Sequence, residues 1–134
     1  MSSFRIFDIA GSALSAQSLR LNTVASNLAN ADAVSGDPNA VYKARMPVFK
    51  ADVTQGADTA GVQVLGVVES QVPPEKRYEP GHPLADAQGY VYAPNVNPVE
   101  EMVNMISASR AYQGSVEVMN TAKDLALRTL NLGK

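Results

Sequence analysis

Few residues in this chain are able to do chemistry, and their types and spacing argue against each reaction they could support. His82 is the only histidine. It stands between Gly81 and Pro83, a turn context in which imidazole is a solvated side chain or a local hydrogen-bond partner rather than a general base. Glu100 and Glu101 are neighbours in sequence, and successive side chains on a helix point in different directions, so they make no carboxylate dyad. A zinc site needs about four ligands from His, Cys and carboxylates, and a chain with no cysteine and one histidine does not supply them. No glycine-rich phosphate loop of the GxGxxG or GxxxxGK type occurs. The expectation is a protein that is not an enzyme, with no catalytic residue, no cofactor and no metal.

Two polar clusters remain. Ser26-Asn27-Leu28-Ala29-Asn30 reads most simply as a helix end, because Asn side chains compete for backbone groups and tolerate left-handed conformations. Arg110 and Tyr112 form either a binding pair or a solvated arginine beside a tyrosine with its hydroxyl at the edge of a packed seam. With a formal charge of −2 and no cluster of Lys and Arg, nucleic acid is excluded as a partner. Nothing points to a small-molecule substrate. No apolar run approaches the ~20 residues needed to cross a bilayer. Arg5 followed by Ile6–Leu14 resembles a signal peptide, but Asp8 interrupts it and the helical pattern continues, so the segment reads as a retained helix.

The elements that position these residues are marked out by proline. All eight prolines lie between Pro38 and Pro98, which confines long helices to the two ends. At the N-terminal end, Phe7, Leu14, Leu21 and Leu28 recur every seven residues, with Ala10, Gln17, Val24 and Ala31 between them. Ser3 is a candidate N-cap and Asn30 the stop, giving a helix of about 27 residues that cannot bury its own seam. Its partner starts at Asn97-Pro98-Val99-Glu100, with Asn97 as N-cap, Pro98 at N1 and Glu100 reaching back. Met105, Tyr112, Met119 and Ala126 then recur every seven, alternating with Ala108, Ser115, Ala122 and Thr129, and Val116 joins the packing residues. Gly133 is placed at the C′ position.

A second apolar line, Ala111, Val118, Leu125 and Leu132, runs beside this seam. One line suffices to pair the two helices, so the other is expected either to lie under the central segment or, preferably, to face another subunit. Between the helices, Val62, Val64, Val67 and Val68 form the best strand candidate, with weaker ones at residues 42–49, 76–78 and 90–92 and turns at 56–61 and 80–83. The expected fold is mainly α, an α+β arrangement. Long N- and C-terminal helices (residues 1–34 and 97–134) pair in a coiled-coil-like core, and residues 35–96 form a small β-hairpin or extended module.

Several of these segments resemble bacterial flagellar rod and hook proteins. Asn27, Leu28 and Asn30 followed by Tyr42-Lys43-Ala44 are similar to the N-terminal signature of that family. Asn95-Val96-Asn97, Glu101–Asn104, Ser109-Arg110-Ala111-Tyr112 and Asn120-Thr121-Ala122-Lys123 are similar to its C-terminal signature. Residues 7–17 and 80–87 look like the proximal-rod branch. The resemblance implies a structural subunit of the basal-body rod. Such a subunit assembles with itself and other rod subunits into a helical tube that transmits torque and encloses the export channel. It further implies flagellar type III export without a cleaved signal peptide, a periplasmic location, and ring and export-gate proteins nearby. In this chain Val41 stands where the family commonly has glycine before the Tyr-Lys pair, and Gly114 lies mid-helix where the family often has alanine. The competing expectations are a soluble helical adaptor forming a closed oligomer and an enzyme with its carboxylate in the central segment.

Overall fold

The computed structural model describes residues 3–54 and 59–134, apart from the Ser3 side chain. Helix α1 spans Ser3–Ala29, strand β1 Arg45–Asp52, β2 Gly61–Glu69, β3 Glu75–Tyr78, β4 Tyr90–Ala93, and helix α2 Pro98–Leu132. The turn expected at Gly56 and the cap expected from the Ser3 side chain lie outside the described residues. The fold is mainly α with two small two-stranded sheets, β1-β2 and β3-β4.

The helix ends follow from local chemistry. Asn30 closes α1, its Nδ2 donating to the Ser26 carbonyl at 2.9 Å. At the start of α2, Asn97 Oδ1 accepts from the backbone N–H groups of Val99 and Glu100 at 3.1 and 3.3 Å, which satisfies two donors that the first turn leaves open. The expected return bond from Glu100 is not among the described hydrogen bonds, and the neighbouring carboxylate, Glu101, accepts from Asn27 instead. Gly133 does end α2, but without the left-handed φ of a C′ glycine; its N–H closes a tighter turn on the Leu130 carbonyl at 3.3 Å.

The main difference from expectation is in β1: the segment expected at 42–49 is displaced by three residues at each end, to Arg45–Asp52. The N–H groups of Ala44 and Arg45, at its start, are taken by the side chains of Asn95 and Asn27. Pro47 fits within β1 because both strands of a two-stranded sheet are edges. Sheet β3-β4 is antiparallel, pairing Glu75 with Ala93 and Tyr78 with Tyr90. Ser35 adds to the free edge of β4 through two backbone bonds with Tyr92, at 2.9 and 2.8 Å.

Two compact units result. One comprises the chain up to Leu21 with Pro47–Gly66 and Ile106–Lys134; the other comprises Asn22–Met46 and Val67–Met105. In the first, the fully buried hydrophobic residues are Ala10, Ala16, Ala108 and Ala122, so close helix packing is the source of its burial. Ser12 anchors a strand to α1: its Oγ donates to the Ile9 carbonyl at 2.7 Å and accepts from the Val62 N–H at 3.0 Å. In the second, Val24, Val41, Val91 and Ala93 are buried, and so is Asn27.

The loop from Glu79 to Gly89 in the second unit is built on Asp86, whose Oδ1 accepts from the N–H groups of Gln88 and Tyr90 at 3.0 and 2.8 Å. His82 is a local hydrogen-bond partner there, its Nδ1 accepting from the Leu84 N–H at 3.1 Å. Gly36 lies against this loop so closely that an added Cβ would stand 2.5 Å from the Leu84 carbonyl oxygen. Gly36→Ala therefore forces the loop to shift. The expected cost is about 1–3 kcal/mol, read as a lowered denaturant midpoint with an unchanged slope.

Candidate assembly surface

Of the residues singled out by sequence, Asn27 has the most connected position. It is 1% exposed and sits in the last turns of α1. Its Oδ1 accepts from the Tyr42 hydroxyl at 2.8 Å and from the Arg45 N–H at 2.9 Å. Its Nδ2 donates to the Arg45 carbonyl at 2.9 Å and to Glu101 Oε2 at 3.1 Å. These four bonds use the full capacity of a carboxamide. Because the single Tyr42 proton goes to Asn27, the Ser26 hydroxyl is the donor in its 3.1 Å contact with the Tyr42 oxygen. Asn95 completes the clamp, accepting from the Ala44 N–H at 2.9 Å and donating to the Val72 carbonyl at 2.7 Å. Two asparagine side chains thus act as strand partners for residues 44–45. Reading the Asn cluster only as a helix end is correct for Asn30 and misses this role of Asn27.

Lys43 lines a polar cleft of about 580 Å³ with Asn30, Ser35, Arg45 and Glu69. The Arg45–Glu69 ion pair there is 3.4 Å long and half-exposed, a geometry worth at most about 1 kcal/mol. Asp52, in the other unit, has its carboxyl held below the usual carboxylate range by hydrogen bonds from the Thr54 hydroxyl and N–H. Among the described residues no group of three or more His, Cys, Asp or Glu is arranged to hold a metal ion, and no helix is long and apolar enough to cross a membrane.

The expected packing residues divide by burial. Val24 is buried; Phe7, Leu14, Leu21, Leu28, Met105, Met119 and Ala126 are half-buried. Tyr112 and Val116 keep somewhat more than a third of their surface exposed, at 38% and 36%. Arg110, Asn120 and Lys123 are also exposed. From Met105 onward the half-buried and buried positions of α2 are Met105, Ala108, Ser109, Ser115, Met119, Ala122 and Ala126, and all but Ser109 keep the three-, four- and seven-residue steps of a heptad seam. The second apolar line lies in the open: Val118, Leu125 and Leu132 are exposed, Leu132 at 87%. Val64, Leu65, Val67 and Val68 of β2 are exposed as well.

A chain of this size with so much wet aliphatic surface presents interfaces. Comparison with known proteins gives the family. Residues 7–36 match the family described as flagella basal body rod protein, and residues 87–132 match the C-terminal family of flagellar basal body rod FlgEFG proteins. Flagellar basal-body rod proteins FlgC of Escherichia coli and Salmonella typhimurium are each 58% identical over 134 residues, covering 100% of both chains. That of Yersinia enterocolitica is 54% identical with the same coverage. The chain belongs to the FlgC family of flagellar basal-body rod proteins.

Within this FlgC-family chain, the first family match contains Asn27 and Asn30, and the second contains Asn95, Asn97 and Glu101. The side chains that clamp residues 44–45 therefore come from both matched segments. One polar group remains without a partner among the described residues: Gln17 Oε1 is buried and accepts nothing. An unsatisfied buried acceptor costs on the order of 1–3 kcal/mol.

Two substitutions should separate these amides. Gln17→Leu is expected to leave the stability of the isolated chain unchanged or raised, since it removes an orphan acceptor. Asn27→Asp should lower it, replacing two donors by a carboxylate that faces Glu101 and the Arg45 carbonyl. Burial and the neighbouring negative charge raise the folded pKa of that new carboxyl above its unfolded value. Its penalty is then smallest below the ordinary carboxylate pKa of about 4 and grows as pH rises through the folded value. Denaturant midpoints of variant and wild type across this range check the sign.

Proposed function

We propose that this FlgC-family chain is a structural subunit of the proximal rod, without catalytic turnover. It assembles with itself and with other rod subunits into a helical tube that carries torque through side-chain packing and surrounds the export channel. Residues 1–34 and 97–134 supply the helices of the core and residues 35–96 an outer module. Phe7, Leu14, Leu21, Val24 and Leu28 pack with Met105, Tyr112, Val116, Met119 and Ala126 within one subunit or between neighbours. The chain reaches a periplasmic position through the flagellar type III apparatus without a cleaved signal peptide, close to ring and export-gate proteins.

The observation that carries this reading is the imbalance in the first unit. Its fully buried hydrophobic residues are alanines, whereas Ile106, Val118, Leu125, Leu127, Leu130 and Leu132 are exposed. Each large aliphatic side chain moved from water to a packed interface contributes about 1.5–3 kcal/mol. Most of the burial available to α2 is therefore still to be gained outside the chain. A torque-bearing tube uses this arrangement, because stiffness comes from interdigitated side chains held in close packing.

Leu21→Asp, placing a charge at a half-buried α1 position, tests the seam. In cells with no other copy of the chain, the variant should be exported yet build no rods, and swimming should be lost. Normal rods from this variant would sink the assignment of Leu21 to the seam.

A further inference from the structure

Between Arg110 and Asn131, helix α2 carries apolar side chains on both flanks of its buried seam. Its charged and amide residues in that stretch, Lys123 apart, share one face: Arg110, Gln113, Glu117, Asn120, Asp124, Arg128 and Asn131 follow one another in three- and four-residue steps. Next to the buried seam on one side lies a groove. Within the first unit it is an apolar trough of about 400 Å³, with Ile6, Ala10 and Ala13 of α1 facing Ala111, Gly114 and Val118 of α2. A second depression of about 340 Å³ shares Ile6, Gly114 and Val118 and carries the trough on to Leu125. Ser115 lines it too, but donates its hydroxyl to the Ala111 carbonyl at 3.0 Å, so it offers the groove no free donor.

On the opposite flank of the seam, Val116, Leu127 and Leu130 are exposed, and Lys123 lies on the same stripe. The two surfaces match in three respects. The groove from Ala111 to Leu125 and the stripe from Val116 to Leu130 are each ~21 Å long at the helical rise per residue. The groove is floored by small residues and the stripe carries large ones, the pairing that knobs-into-holes packing requires. Glu117 stands at the edge of the groove, and Lys123 sits mid-stripe with no ion-pair partner among the described residues. Gly114 fits the same picture. A Cβ added there meets nothing within 4 Å, so the packing of this chain does not require glycine at a position where it weakens the helix. The missing Cβ leaves room there for a second helix.

We propose that the groove between α1 and α2 receives the Val116–Lys123–Leu127–Leu130 stripe of a second copy of this chain. This deepens the rod-subunit reading and rests on it. The two surfaces lie on different flanks of one helix, so the contact is heterologous. Every added copy presents a fresh groove or stripe, and growth does not close on a dimer.

The chain has no cysteine, so engineered thiols report cleanly. Rods are isolated from cells that co-express Val118→Cys and Leu127→Cys as the sole copies and are then oxidised. The expected product is a mixed disulfide between the two variants, absent when either is expressed alone. Ser115→Cys, a near-isosteric change on the same wall, repeats the test if Val118→Cys assembles poorly. In parallel, Gly114→Leu should leave the isolated chain as stable as wild type, because the site is open, and should abolish rods by filling the groove. Same-residue disulfides from Val118→Cys alone, cross-links only to another rod protein, or normal rods from Gly114→Leu would each overturn the proposal. Rods without the mixed disulfide overturn this pairing alone, whereas no rods from the unaltered chain overturn the rod reading and the proposal together.

Discussion

The structure depends on burial that its own chain does not complete. A surface helix of a self-sufficient domain shows one apolar stripe and a broad polar face. Helix α2 departs from that pattern: between Arg110 and Asn131 its charged and amide residues other than Lys123 keep to one face, and aliphatic side chains lie exposed on both sides of its seam. The seam itself is closed by alanines, which brings the helices near one another while burying little area per residue. The small side chains that permit close packing inside the subunit also shape the groove beside it. The features that leave this chain short of buried surface are those that prepare it to be one member of a larger assembly.

The second unit is held differently. There the organising interactions are hydrogen bonds made by asparagine: Asn27 and Asn95 act as strand partners for residues 44–45, and Asn97 caps α2. A buried carboxamide with all four bonds made is specific in a way that aliphatic packing is not, since any shift of register leaves groups unpaired. The bond from Asn27 to Glu101 joins residues 74 positions apart, so the end of α1, the start of β1 and the first turn of α2 share one network. A rod subunit needs its helix termini set at a defined position, and this network sets them through geometry.

Much of the fold was legible from residue patterns. The proline distribution confined the helices to the ends, and the seven-residue recurrence of Phe7, Leu14, Leu21 and Leu28 gave α1 nearly its observed limits. The β-branched run at Val62–Val68 marked β2. What escaped were interactions between residues far apart in sequence. Nothing local distinguishes Asn27, which joins three segments, from Asn30, which ends a helix, because both are asparagines near a helix terminus. The same holds at the start of β1, where the N–H groups of Ala44 and Arg45 are taken by side chains from distant segments. Asp86 and Gly36 were visible only as loop composition, although one organises the 79–89 turn and the other touches it. The flagellar family itself came from the resemblance of motifs, since periodicity and charge led no further than paired helices with surplus apolar surface.

The central claim is that the apolar flanks of α2 are completed by other subunits. Circular dichroism of the purified chain, alone and after mixing with the other rod subunits, tests it most directly, with sedimentation run on the same samples. The account predicts weak, easily melted helicity for the chain alone, rising as large species form. A strong, stable helical signal from a small closed oligomer that ignores the rod subunits would contradict it.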